Sequence, residues 1–153
     1  MAIIMTRVDN RLIHGQVVEG WLPALKAQEV VLVCAQSSDG AFARKMWRMA
    51  LPAQYGLAVM QAARAAQYLQ LPSPLRQFVL AEDLNELKAI IDGGFAPAQV
   101  NIGNTRYESG KKEISAGVYL SAREEDFVQD LKARGVKLDL RALPSSVPIG
   151  RLF

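Results

Sequence analysis

The stretch "RVDNRLIHGQVV", Arg7 to Val18, holds the only histidine of the chain, three residues after an arginine and five after an aspartate. A neutral imidazole presents a nucleophilic nitrogen close to physiological pH, so its placement is the first thing to explain. In an extended segment, side chains two apart share a face, and Arg7, Asp9 and Arg11 are expected to project together at a strand's end. A carboxylate between two guanidinium groups orients both through charge-assisted hydrogen bonds, which commits the Asp9 charge to the arginines and makes an anion clamp. His14 then falls at the first turn of a helix, where free amides and the positive end of the dipole favour an anion such as phosphate. Gly15 leaves that backbone accessible, and Gln16 adds a polar side chain to the same turn. The duller alternatives stay open: a lone histidine can cap a helix, and the arginines can be surface residues with Asp9 as a structural partner.

Other chemistries lose ground by what is missing. Neither GxGxxG nor GxxxxGK[ST] occurs, so the two commonest nucleotide cradles are absent. Histidine phosphatases and phosphoglycerate mutases pair Arg-His-Gly with a second histidine, but here Ile13 precedes His14 and no second histidine exists. One histidine and one distant cysteine make a poor metal site, so neither metal nor cofactor is expected. Cys34, inside "EVVLVCAQ", reads as a small buried hydrophobe. The net charge of +3 and pI near 9.2 would permit an anionic partner. The basic residues are spread out, however, with close doublets only at Arg44-Lys45 and Lys111-Lys112, and no nucleic-acid partner is expected. A single imidazole beside an arginine clamp suits taking a phosphoryl group from one partner and passing it to another.

The elements that would position these residues follow from periodicity. At 153 residues, half of them hydrophobic, the chain is expected to form a single domain over 1–153. No apolar run approaches the roughly 18 to 20 residues needed to cross a bilayer, so a cytoplasmic protein is expected. Strands are predicted at Ile3 to Val8, Glu29 to Cys34, Leu57 to Met60, Gln77 to Leu80, Val100 to Ile102, Val118 to Leu120 and Val136 to Leu140. Between them, apolar residues repeat at helical spacing: Val17, Val18, Trp21, Leu22 and Leu25; then Phe42, Met46, Met49 and Ala50; then Leu84, Leu87 and Ile91. Trp21 and Trp47 are expected in the core. Asp83 with Glu86 and Ser121 with Glu124 have capping-box spacing, and Gly93-Gly94 and Gly135 stand where helices should end. Alternating strand and helix predicts an α/β fold: an open, doubly wound, mainly parallel sheet of about seven strands, one antiparallel, with helices on both faces. Residues 101–120 break the alternation and are expected to form a long loop with a short strand, either an exposed connection or a wall of the site.

"RVDNRLIHGQV" resembles the motif around the phosphorylated histidine in the IIB components of the mannose/fructose/sorbose class of the bacterial phosphoenolpyruvate-dependent sugar phosphotransferase system. "VNIGNTRYESGKKEIS" and "FVQDLKARGVKLDLRALP" look like later segments of the same family, so the resemblance covers almost the whole chain. It implies a protein-N(pi)-phosphohistidine–sugar phosphotransferase subunit in which His14, on the loop after the first strand, accepts a phosphoryl group from the phosphohistidine of a IIA protein. The group would go to a sugar held by the membrane components IIC and IID, with the subunit cytoplasmic and transiently associated with the membrane's inner face. The resemblance makes Arg11 the phosphate ligand, Asp9 its orienter and Arg7 a further ligand, with Gln16 matching but without an assigned role. Many family members carry a second acid where this chain has Asn10. The chain carries no IIA domain, so the donor is expected to be a separate polypeptide. A regulatory phosphocarrier that is phosphorylated on His14 without feeding a sugar, the identity of the sugar, and self-association all stay open.

Overall fold

The segments "EVVLV" and "QFVLA" are buried at every position, the pattern of strands covered on both faces and hence of a parallel sheet. The computed structural model describes residues 3–35 and 40–147. Along the chain run β1 (Ile3–Asp9), a π-helical segment Gln16–Trp21, α1 (Leu22–Leu25), β2 (Glu29–Val33), α2 (Ala41–Ala50), β3 (Gly56–Met60) and α3 (Ala62–Tyr68). They are followed by β4 (Gln77–Ala81), α4 (Leu84–Asp92), β5 (Gln99–Asn104), β6 (Lys112–Ser115), β7 (Val118–Leu120), α5 (Ala122–Ala133) and β8 (Lys137–Asp139). Six strands pair in parallel in the order β3-β2-β4-β1-β5-β8.

Right-handed crossovers then dictate which face each helix covers. The connections β1 to β2 and β2 to β3 run one way across the sheet, whereas β3 to β4, β4 to β5 and β5 to β8, the last by way of β6, β7 and α5, run the other. Two core clusters match. Met5, Val30, Leu32, Phe78 and Leu80 pack with Leu12, Ile13, Val17, Trp21 and Leu22. Val31, Val33, Val79 and Ile102 pack with Leu84, Leu87, Ile90, Val128 and Leu131. The sheet is therefore doubly wound. Chain leaves the adjacent strands β1 and β4 toward opposite faces, and ligands of such folds sit at the carboxyl ends beside that reversal. Asp9 ends β1 there.

Three expectations change in detail. The strand near Val118–Leu120 does not join the main sheet; it forms an antiparallel ribbon with β6, which alternation had not revealed because its four residues "KEIS" are exposed or half-buried. Asn101 to Asn104 belong to β5, so the expected loop begins later. The apolar stripe of α2 faces solvent, with Phe42 76%, Met46 53% and Met49 82% exposed. The helix is turned so that Trp47 packs inward beside buried Leu51, and Arg48 holds it there by donating to the carbonyls of Leu51, Pro52 and Tyr55. Ser121 and Glu124 form the full reciprocal capping box, whereas Asp83 accepts from the Glu86 amide in one direction only. Among the described residues no helix is long and apolar enough to cross a membrane.

Candidate functional site

Positions 5, 7 and 9 of β1 point to one face, which places the Arg7 and Asp9 side chains under the π-helical segment. Asp9 is fully buried and is the hub. Its Oδ2 receives Nε2 of His14 at 2.7 Å, Nη2 of Arg7 at 3.0 Å and Nδ2 of Asn104 at 2.9 Å, while Oδ1 accepts the Arg11 backbone amide at 2.9 Å. Burial pushes the Asp9 carboxyl up, but the hydrogen bonds from His14, Asn104 and the Arg11 amide, together with the Arg7 charge, outweigh it and hold the group below its ordinary value. It is a carboxylate.

Arg7 departs from the expected clamp. Its guanidinium is 0% exposed and spends its donors inside the protein: Nε and Nη2 on Asp9, Nη2 also on Gln16 Oε1 at 2.9 Å, and Nη1 on Asn101 Oδ1 and the Arg141 carbonyl. Burial lowers its pKa and the Asp9 charge opposes that; an arginine remains protonated throughout. Its plane lies over the Trp21 ring at 5.6 Å, with Arg141 at the same distance. Arg7 is thus a buried anchor and presents nothing to a bound anion. Asp9 does not fix two guanidinium groups either. The strand ends before Arg11, whose exposed side chain has no hydrogen-bond or ion-pair partner among the described residues, so alternation no longer applies there. The Asp9 charge therefore acts directly on His14.

The loop between β1 and the helical segment is pinned from below. Leu12 and Ile13 are buried in the core, and Leu12 pays for this with φ of +59°, a left-handed conformation that a branched side chain disfavours. That tether leaves His14 half-buried, its side chain 16% exposed, with Nε2 turned in toward Asp9. The His14 carbonyl starts the helical segment by accepting from Val17 and Val18, and Gly15 has open space where a side chain would be. π-helical turns are rare and recur at functional sites.

Two residues that sequence reasoning missed complete the network. Asn104, at the end of β5, donates its one amide nitrogen to both Asp9 Oδ2 and Gln16 Oε1. Asn101 accepts from Arg7 and donates to Asp139 and the Arg141 carbonyl. Both lie in "NIGN", and the signal was there: polar side chains on a strand whose partner is β1 must face polar groups of β1. Gly103 between them is needed as well, because a Cβ would fall 2.1 Å from the Arg7 Cζ. Among the described residues no group of three or more His, Cys, Asp or Glu could hold a metal ion.

A doubly wound sheet with a histidine–carboxylate pair at the carboxyl end of its central strand is an architecture suited to group transfer. Residues 3–149 match the family described as the PTS system sorbose subfamily IIB component, and the chain belongs to that family, whose members are phosphotransferases of the sugar phosphotransferase system. It is 30% identical over 151 residues to the sorbose-specific EIIB component of Lacticaseibacillus casei, covering 95% of this chain and 92% of that one. It is 27% identical over 146 residues to the N-acetylgalactosamine-specific enzyme IIB component 1 of Escherichia coli, covering 93% and 91%. The crystal structure of the IIBSor domain of the sorbose permease from Klebsiella pneumoniae superposes with a TM-score of 0.87 at 28% identity, covering 97% of this chain and 93% of that one.

Proposed function

We propose that His14 accepts a phosphoryl group on Nδ1 from the phosphohistidine of a IIA protein and passes it to a sugar bound by membrane components of the IIC and IID type. The observation that carries this is the 2.7 Å contact between His14 Nε2 and Asp9 Oδ2. A carboxylate only accepts hydrogen bonds, so Nε2 carries the proton and Nδ1 keeps its lone pair. In the transfer, the P–N bond to the donor ring breaks as the P–Nδ1 bond forms. The donor leaves as a neutral imidazole, keeping the proton on its other nitrogen. The His14 ring becomes a phosphoimidazolium, and its new positive charge faces the buried Asp9 carboxylate. Asp9 is thus both orienter and counter-charge, and Arg11, exposed three positions before His14 with its guanidinium free of partners among the described residues, is the ligand for the phosphoryl oxygens. Gly15 keeps the approach clear. Asn10 is half-buried and neutral where many relatives are acidic, which leaves the Asp9 charge the nearest acid in that turn. The named relatives act on different sugars, sorbose and N-acetylgalactosamine, so the sugar does not follow from kinship. The protein works on the cytoplasmic face and meets the membrane only through its partners.

Incubation with a phosphorylated IIA protein tests this. The chain should take an acid-labile, base-stable label, NMR should place it on Nδ1, and His14→Ala should abolish it without unfolding the protein, since the ring is partly exposed. Label surviving that substitution, or attached to Nε2, would overturn the mechanism.

A further inference from the structure

Gln16 is held in one orientation by groups that leave no choice. Arg7 Nη2 can only donate, so the Gln16 atom facing it at 2.9 Å is Oε1. Asn104 Nδ2, itself oriented by donating to the carboxylate of Asp9, reaches the same oxygen at 3.0 Å. Oε1 and Asp9 Oδ2 are therefore bridged by the same two donors, and Oδ2 also receives His14. Gln16 and His14 hang from one buried frame. With Oε1 committed to Arg7 and Asn104, the Gln16 Nε2 amine is left over, and neither of its two protons has a partner among the described residues. It lies in the opening turn of the helical segment, next to Gly15, where a Cβ would meet nothing within 4 Å.

We propose that Gln16 Nε2 binds the phosphoryl group on His14, and that Asn104 is the positioning residue that presets it. This rests on the phosphorylation of His14 proposed above. The chemistry favours an amide in this place. Accepting from a guanidinium polarises the carboxamide and makes its N–H groups better donors. The buried Arg7 charge thereby reaches the phosphoryl oxygens through Gln16 without being exposed. A preoriented donor needs no rearrangement as charge shifts during transfer. Being neutral, it also does not hold the phosphorylated product as a second arginine would, and a group that must be passed on has to be released.

The decisive variant is Gln16→Glu, which keeps the acceptor facing Arg7 and Asn104 but replaces the donor with a second, negatively charged oxygen. Gln16→Met keeps the length and has neither donor nor acceptor of comparable strength. Rates of labelling are measured with phosphorylated IIA protein and, separately, with phosphoramidate, from which the P–N bond breaks, the P–Nδ1 bond forms and ammonia leaves. The small donor removes protein docking from the result. Gln16→Met should slow labelling roughly tenfold to a hundredfold with both donors, on the order of other preorganised donors to a transferring group, and Gln16→Glu should be slower still. Asn104→Ala should lower kcat for the IIA donor with KM little changed, and its effect should shrink in the Gln16→Met background to the part carried by its bond to Asp9. If Gln16→Glu labels at the wild-type rate while Gln16→Met is impaired, Gln16 is a structural acceptor for Arg7 and the proposal fails. It fails equally if neither variant is slowed. A wild-type chain that takes no label on His14 refutes the phosphorylation itself, and the role of Gln16 with it. Should Gln16→Glu not fold, shown by its thermal midpoint, the loss in Gln16→Met with both donors and its coupling to Asn104 decide the matter.

Discussion

Arg7 and Arg11 stand four positions apart and do opposite work. Arg7 has no exposed surface and every direction of its guanidinium is taken up inside the protein, whereas Arg11, three positions before His14, is exposed and has no side-chain partner among the described residues. Arg11→Ala should therefore leave the denaturation midpoint almost unchanged, as exposed substitutions do, while slowing labelling of His14 by about 10² to 10³. Arg11→Lys should recover part of that, since a point charge replaces a planar fork. Equal labelling rates for wild type and Arg11→Ala would remove Arg11 from the phosphate's surroundings. The residue types at the site were legible from spacing and from the family motif, but depth was not. Alternation assigns a side chain to a face of a strand, and in a sheet covered on both sides either face can be interior. That is why Arg7 read as a ligand, and why Asp9 read as a clamp between arginines instead of the partner of His14.

At the level of elements, the site depends on how closely β5 approaches β1. The Arg7 guanidinium lies against the backbone of Gly103, where any side chain would overlap it. Gly103→Ala must push Arg7 off Asp9, Asn101 and Gln16 together, and should cost about 1 to 3 kcal/mol by overpacking, plus the loss from a disturbed buried ion pair. Urea denaturation measures it; a midpoint equal to wild type would mean that β5 yields easily and that the frame is softer than described. Strand and helix positions, the helix caps at Ser121 and Gly135, and the winding of the sheet were readable, because period, capping chemistry and crossover handedness are local or general rules. The partnership of Asn104 with Asp9 was not, since it depends on strand order, bringing together residues 95 positions apart. The outward turn of α2 was hidden for a related reason. Phe42, Met46 and Met49 make a stripe of the right period, but whether it faces the sheet is decided by what Trp47 and Arg48 find to pack against and bond.

For the whole molecule, the buried pair makes stability depend on pH. Asp9 titrates below its unfolded value of about 3.9, so its contribution is fully present above that pH and disappears as pH falls through the lower folded value. Asp9→Asn removes the contribution at every pH and leaves the buried Arg7 without its counter-charge, a loss of about 3 kcal/mol at neutral pH. Urea denaturation followed from pH 7 to pH 2 should show the wild-type and Asp9→Asn curves well separated above pH 5 and converging below about pH 4. A gap that stays constant throughout would mean that Asp9 titrates alike in the folded and unfolded chain.

The same anchor also sets an order of events during synthesis. Asp9 and Gln16, which take up the Arg7 Nε and Nη2 donors, are made within nine residues of it, whereas Asn101 and the Arg141 carbonyl, which take up Nη1, follow 94 and 134 residues later. Until those arrive, the Arg7 guanidinium cannot be buried with its full set of bonds. His14 is thus made well before the frame that turns its ring is complete. A chain that has His14 but stops before β5 lacks Asn101 and Asn104, and with them the frame around Asp9 that turns the ring.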